Sequence, residues 1–276
     1  MLRSILRKIA NKLLFITQTN IKTSVEISYL QPNNRLLNKR VLITGGSKGI
    51  GYAIAKKFIK EGAKVIITGR NEDDLKKAST DIGCYYIIAD ALNHNNIIDS
   101  IDRSEQILGG IDILVNNAGI SLHEGNIRNV SEESFDKQIN INLKASYFYA
   151  KEFINNVEKN RINNASILFV SSERGTYVDD LPYGLTKVAI NSLTQGLGKL
   201  LIKNNIRVNA IAPGITATQL TGFSEDNLSA NYATGRVYLS DEVAEVACFL
   251  VSDSAKCLSG QILTCDNGNS VNSYRK

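Results

Sequence analysis

The stretch Val41-Leu42-Ile43-Thr44-Gly45-Gly46-Ser47-Lys48-Gly49-Ile50-Gly51 decides the fold. An apolar run passes without a polar break into a glycine-rich turn, and helix-period sequence begins at once. Such a run reads as a strand buried on both faces. Gly45 permits the tight turn, and Gly49 and Gly51 let backbone approach a pyrophosphate at the N-terminus of the following helix. Ser47, Lys48 and Ile50 complete the loop as candidate contacts. No Gly-Lys-Ser/Thr follows, so a nucleoside triphosphate loop is excluded.

Outward from this unit the pattern repeats. Strands are expected at Val41–Thr44, Val65–Thr68, Tyr85–Ala89, Asp112–Asn116, Ser166–Ser171, Arg207–Ile211 and Ile262–Cys265. Helical patterns fall near 50–61, 72–82, 95–108, 132–158, 183–203 and 241–251. Alternation of this kind predicts one α/β domain over 38–276, a doubly wound (Rossmann) seven-stranded parallel sheet with helices on both faces.

Composition narrows the chemistry. With 276 residues, 43% hydrophobic and 21% charged, the chain can bury a proper core, and it is neither collagenous nor low-complexity. Residues 1–40 hold eight Lys/Arg and one acid (Glu26), which leaves the remainder at −2 within the overall +5. A body without excess positive charge gives no nucleic-acid footprint. Cys84, Cys248, Cys257 and Cys265 show no C-x-x-C and read as reduced core thiols. With only His94 and His123 present, no metal site is expected.

Residues 1–37 form an extension. Leu2, Ile5, Leu6, Ile9, Leu13 and Leu14 share one helical face, opposite Arg3, Arg7, Lys8 and Lys12. Three readings stand open for residues 1–16: a helix on an anionic membrane surface, an organelle-targeting presequence, or a helix packed on the body or a partner. The corresponding locations are the cytoplasm, with or without membrane contact, or an organelle matrix.

The second strand selects the cofactor. A carboxylate at its end would accept from the ribose 2′-hydroxyl of NAD, but the chain reads Thr68-Gly69-Arg70. Arg70 and Lys48 suit a 2′-phosphate, which favours NADP. Asp90, after the third strand, is a candidate acceptor for the adenine amino group. Farther on, Tyr183 and Lys187 lie at i and i+4 on one helical face, where a cation is expected to lower the phenol's pKa. Ser172, eleven residues upstream of Tyr183, ends a strand and can point a hydroxyl into the same crevice.

With these residues in place the chain resembles the short-chain dehydrogenase/reductase family over roughly 38–270. The matching motifs are Thr44–Gly51, Asn116-Asn117-Ala118-Gly119, Asn142, Ser172, Tyr183/Lys187, Arg207-Val208-Asn209 and Pro213-Gly214 with Thr218. The resemblance implies hydride transfer between NADP(H) and a carbonyl or secondary alcohol. Tyr183 would be the general acid, Lys187 would lower its pKa and bind the nicotinamide ribose, Ser172 would hold the substrate oxygen, and Asn142 would support a water-linked proton relay. Asn117, Ala118 and Gly119 would support the cofactor cleft, with Pro213, Gly214, Thr216 and Thr218 bordering the nicotinamide. It also implies a homodimer or homotetramer built on helices 132–158 and 183–203.

The pattern is most similar to the 3-oxoacyl-carrier-protein reductases. Two positions where that subgroup carries basic residues for its acidic carrier read Ser166 and Asn204, with only Lys203 adjacent. Another small or polar carbonyl, sugar-derived included, therefore stands beside a 3-oxoacyl substrate, as does a redox-inert NADP-binding module. Segment 215–240 carries few large apolar residues, an expectation against bulky steroids.

Overall fold

A computed structural model describes residues 34–224, 226–230 and 234–271. The readings of residues 1–16 lie outside the described residues. The strands are β1 (Arg40–Thr44), β2 (Lys64–Gly69), β3 (Tyr85–Ile88), β4 (Ile113–Asn116), β5 (Ala165–Val170), β6 (Ile206–Pro213) and β7 (Ile262–Cys265). The helices are α1 (Gly49–Lys60), α2 (Glu72–Ile82), α3 (His94–Leu108), α4 (Glu132–Gln138), α5 (Ser146–Lys159), α6 (Pro182–Leu201) and α7 (Ser240–Val251).

All seven strands are parallel, in the order β3-β2-β1-β4-β5-β6-β7. Chain order reverses between β1 and β4, where Val41 pairs with Ile113 and Ile43 with Val115. Loops leaving these two strands diverge to opposite faces and open a crevice at the carboxyl edge.

The alternation along each strand divides the core. Val41, Ile43, Val65 and Ile67 face one side with Phe58, Leu75, Val243 and Leu250, beneath α1, α2 and α7. Leu42, Ile66, Leu114 and Phe169 face the other with Ile97, Phe153 and Ile190, beneath α3, α5 and α6. Buried on both faces, the central strands β1, β4, β5 and β6 have no polar alternation to display. Asn71 and Asn93 cap α2 and α3 by accepting from Asp74 N and Asn95 N, and Gly83 and Gly109 end those helices at positive φ.

Three expectations change. The helical stretch 132–158 is continuous but not uniformly α-helical: α4 and α5 are joined by a π-helical segment, Ile139–Ala145, that carries Asn142. The body begins before residue 38, because Leu36 is fully buried in the first core and Arg35 pairs with Glu61 at 2.6 Å. The cysteines are free, but only Cys248 is a buried core thiol; Cys84 and Cys265 are half-buried and Cys257 is exposed. Among the described residues no helix is long and apolar enough to cross a membrane, and none of their side chains form a metal-ligating group.

Arg35 and Lys57 share Glu61 and Glu245, with Lys57 Nζ 3.0 Å from Glu61. Burial alone would raise the Glu61 carboxyl, but Arg35 and Lys57 hold it at about 2, below its ordinary value of 4.5. A depressed folded-state pKa contributes stability above the unfolded value and loses it as pH falls through the folded one. Glu61→Gln should therefore cost about 3 kcal/mol at pH 7, and the difference from wild type should shrink as pH falls from 4.5 towards 2. Urea unfolding at a series of pH values measures both effects.

Candidate active site

The crevice at the carboxyl edge is a cleft of about 730 Å³. At one end lies the β1–α1 loop. Gly45 and Gly49 have φ of 65° and 55°, a region side chains rarely adopt. A Cβ on Gly51 would collide with the Gly45 carbonyl oxygen and the Asn117 carboxamide. Lys48 is the N-cap of α1 and gives no side-chain cap, so the first amides of that helix open towards the cleft without a protein side chain on them. Backbone N–H groups at a helix N-terminus, with no side-chain bulk in front, fit a dinucleotide pyrophosphate.

The loop is held to the neighbouring strand end. Asn117 donates through Nδ2 to Thr44 O (3.0 Å) and Gly45 O (2.8 Å), while Thr44 Oγ1 accepts from Asn117 N and Ala118 N. Gly119 follows, and its Cα faces Asn142 Oδ1 and Lys187 Nζ so closely that a Cβ would sit 3.3 and 3.7 Å from them.

The other end holds the polar side chains singled out in the sequence. Ser172, Tyr183 and Lys187 all line the cleft. The Ser172 Oγ accepts from Arg174 N at 3.2 Å and stands by the Tyr183 phenol, whose ionised form it favours. The short interval from Ser172 to Tyr183 is taken up by a 3₁₀ turn, Glu173–Thr176. Gly175 packs against Lys187 O and Asn191, and Arg174 Nε donates to Asp179 Oδ2 at 2.6 Å. Pro182 then opens α6 at its first position.

The electrostatics depart from the simple cation-beside-phenol expectation. Lys187 Nζ lies 5.4 Å from the Tyr183 ring centroid but donates to Val170 O at 2.9 Å. Burial drives the Lys187 ammonium down to about 8. Burial also raises the Tyr183 phenol, against the opposing pull of the Ser172 hydrogen bond and the Arg174 charge. The phenol is thereby kept protonated at neutral pH, the state from which a proton can be given.

Asn142 does not line the cleft. Its carboxamide accepts from Ile120 N (2.8 Å) and donates to Ile120 O (2.9 Å) and Thr186 Oγ1 (3.3 Å). It braces the post-β4 loop against α6 from behind. Pro213, Gly214, Thr216 and Thr218 also line the cleft. Arg70 is exposed and stands outside the lining, and Asp90 spends Oδ1 on Leu92 N in its own turn.

Sequence reasoning missed lining residues on irregular loops. His123 Nε2 meets Leu220 O at 3.0 Å, joining the loops on either side of the mouth. Ile215, Leu220 and Phe223 give the cleft an apolar wall from the segment expected to offer little. No periodicity marks these positions.

A glycine cradle at one end and a Ser, Tyr, Lys set at the other define a nicotinamide-dependent oxidoreductase. A family model described as enoyl-(acyl carrier protein) reductase matches residues 45–270. The 3-oxoacyl-[acyl-carrier-protein] reductase of Chlamydia muridarum is 33% identical over 250 residues, covering 86% of this chain and 99% of its own. Among solved structures, a 3-ketoacyl-(acyl-carrier-protein) reductase from Brucella melitensis complexed with NADH matches at 31% identity with a TM-score of 0.80, covering 86% of this chain and 100% of its own. A short chain dehydrogenase from Burkholderia cenocepacia in complex with NADP matches at 31% identity and a TM-score of 0.77, covering 86% and 99%. The chain belongs to the short-chain dehydrogenase/reductase family.

The buried ammonium carries a stability signature. A lysine depressed on folding lowers stability fully below its folded pKa, and the penalty disappears as pH rises towards the unfolded value. Lys187→Met should raise the stability of the free protein by roughly 1–3 kcal/mol at pH 7. That gain should fade between pH 8 and 10.5. Thermal melts of both proteins across this range would show it, and a destabilised variant at pH 7 would refute the electrostatic account.

Proposed function

We propose that this enzyme reduces the 3-oxo group of an acyl thioester to a secondary alcohol with NADPH. The convergence of Ser172, Tyr183 and Lys187 in one cleft with the glycine loop carries the reading. The 3-oxoacyl reductases among its relatives support the substrate class. Bound NADPH would supply the hydride. The residues available to hold it are the amides of the Gly45–Gly51 loop for the pyrophosphate, Lys48 and Arg70 for the 2′-phosphate, Asn117–Gly119 and Pro213–Thr218 along the cleft, and Lys187 for the ribose.

Ser172 Oγ, in the same cleft as the phenol, orients the carbonyl oxygen by donating to it. Tyr183 gives its proton to that oxygen. The resulting phenolate is stabilised by Lys187 once the ammonium turns from Val170 O. Asn142 keeps α6 and the post-β4 loop in register, so that both groups meet substrate in one geometry.

Carrier-protein docking at Ser166 and Asn204 finds no support. Ser166 is buried in β5, and Asn204 Nδ2 donates to Glu158 Oε1 at 2.9 Å. This favours a second reading, a smaller or more polar carbonyl, in place of a carrier-bound chain. We further propose a homo-oligomer in the cytoplasm. Exposed Phe135 and Tyr147 on α4 and α5, and Leu185 and Val188 on α6, are the apolar surface that supports assembly.

A carbonyl panel that includes 3-oxoacyl thioesters, sugar-derived ketones and steroids tests the substrate class by NADPH oxidation. Tyr183→Phe should lower kcat by about 10²–10⁴-fold and leave NADPH affinity within about twofold, since it removes one proton and little else. Retention of most turnover would remove the phenol from the reaction.

A further inference from the structure

Lys48 has a partner inside the protein. Its Nζ lies 2.7 Å from Asp74 Oδ2, with the two side chains 52% and 32% exposed. Lys48 caps α1 in an extended conformation and lines the cleft. Asp74 is the third residue of α2, where Asn71 Oδ1 accepts from its backbone N–H at 2.9 Å. That first turn carries three acids, Glu72, Asp73 and Asp74. Glu72 is drawn along the helix to Lys76 at 3.0 Å, so Asp74 is the carboxylate of the turn that reaches back to the glycine loop.

The pairing bears on cofactor choice, and the inference rests on the assignment of this cleft to a dinucleotide with Lys48 as a phosphate donor. An ammonium has one compact charge to offer. A 2′-phosphate seeking Lys48 meets a cation already neutralised, with a negative charge alongside. NADH, whose 2′ position is an uncharged hydroxyl, has no such competition. We propose that Asp74 is a positioning residue for cofactor specificity: it holds Lys48 in an internal ion pair that a 2′-phosphate must displace, narrowing the preference for NADPH over NADH. Arg70, exposed at the end of β2, is then the cation left to favour NADPH.

The pair is half-exposed, so its effect is modest and sensitive to salt. Direct titration by nicotinamide fluorescence, without substrate, should be run on wild type, Asp74→Asn, Lys48→Ala and the double variant at about 50 and about 300 mM salt. Asp74→Asn should tighten NADPH about two- to fivefold, change NADH by less than about 1.5-fold, and lose much of its gain at the higher salt. In the Lys48→Ala background the gain should fall below half, because the competition runs through Lys48. Unchanged NADPH affinity in Asp74→Asn, equal tightening of NADH, or an undiminished gain without Lys48 would each overturn the proposal.

Lys48→Ala separates this proposal from the cofactor assignment beneath it. If that variant binds NADPH as wild type does, and neither protein prefers NADPH to NADH, the 2′-phosphate assignment itself fails. If Lys48→Ala weakens NADPH but Asp74→Asn leaves it unchanged, the assignment stands and only the role of Asp74 is lost. Melting curves of Asp74→Asn serve as the folding control, since the cap at Asn71 uses the backbone of residue 74 and survives the change.

Discussion

The hydrogen bonds from the Asn117 carboxamide to the carbonyls of Thr44 and Gly45 hold the site together. β1 and β4 are neighbours in the sheet, yet their loops leave in opposite directions, and the strand ends would be left with carbonyls facing no ladder partner. Asn117 satisfies two of them, and Thr44 Oγ1 returns the bonding by accepting from Asn117 N and Ala118 N. An unpaired buried backbone group costs about 1–3 kcal/mol, so the tie matters for stability as well as shape. Because Gly51 lies against the same carboxamide, the start of α1 is set by it too. The glycine cradle and the post-β4 loop that Asn142 braces thus share one anchor.

Much of this fold was legible because burial on both sheet faces writes itself as uninterrupted Val, Ile and Leu. Strand positions followed to within a residue or two. The spacing of Tyr183 and Lys187 likewise put both side chains on one cleft. What spacing cannot show is where a donor sends its hydrogen. Lys187 reaches Val170 O, and the phenol answers first to its own burial and then to Ser172 and Arg174. The loops that finish the cleft were equally opaque, since His123, Leu220 and Phe223 belong to no period and are brought together only by tertiary packing.

Some motif residues turn out to act at a distance from the chemistry. Arg207 is buried at the base of β6, where Nη1 donates to Leu250 O and Ala255 O and Nη2 to Val251 O and Ser252 O. A guanidinium at the C-terminus of α7 meets both its orphan carbonyls and the negative end of its dipole. Asn209 similarly stitches β6 to the approach of β7 through Leu258 O and Gln261 N. These residues fix the strand that delivers Pro213 and Gly214, which explains why a pattern read for function also contains architecture.

The π-helical segment between α4 and α5 constrains how this chain can change length. A π turn holds one residue more than the α turn it replaces, and Asn142 sits inside it. Deleting a single residue there would restore ordinary helical hydrogen bonding locally, which looks favourable by itself. It would leave the phase downstream nearly unchanged, because the wider π turns already spread the surplus residue over their own rotation. Tyr149, Ala150, Phe153 and Val157 would go on facing the second core. The change would fall on the segment itself, Asn142 included, whose carboxamide ties the post-β4 loop to α6. The same deletion in an ordinary α turn of α5 would instead turn every later residue of that helix by about 100°.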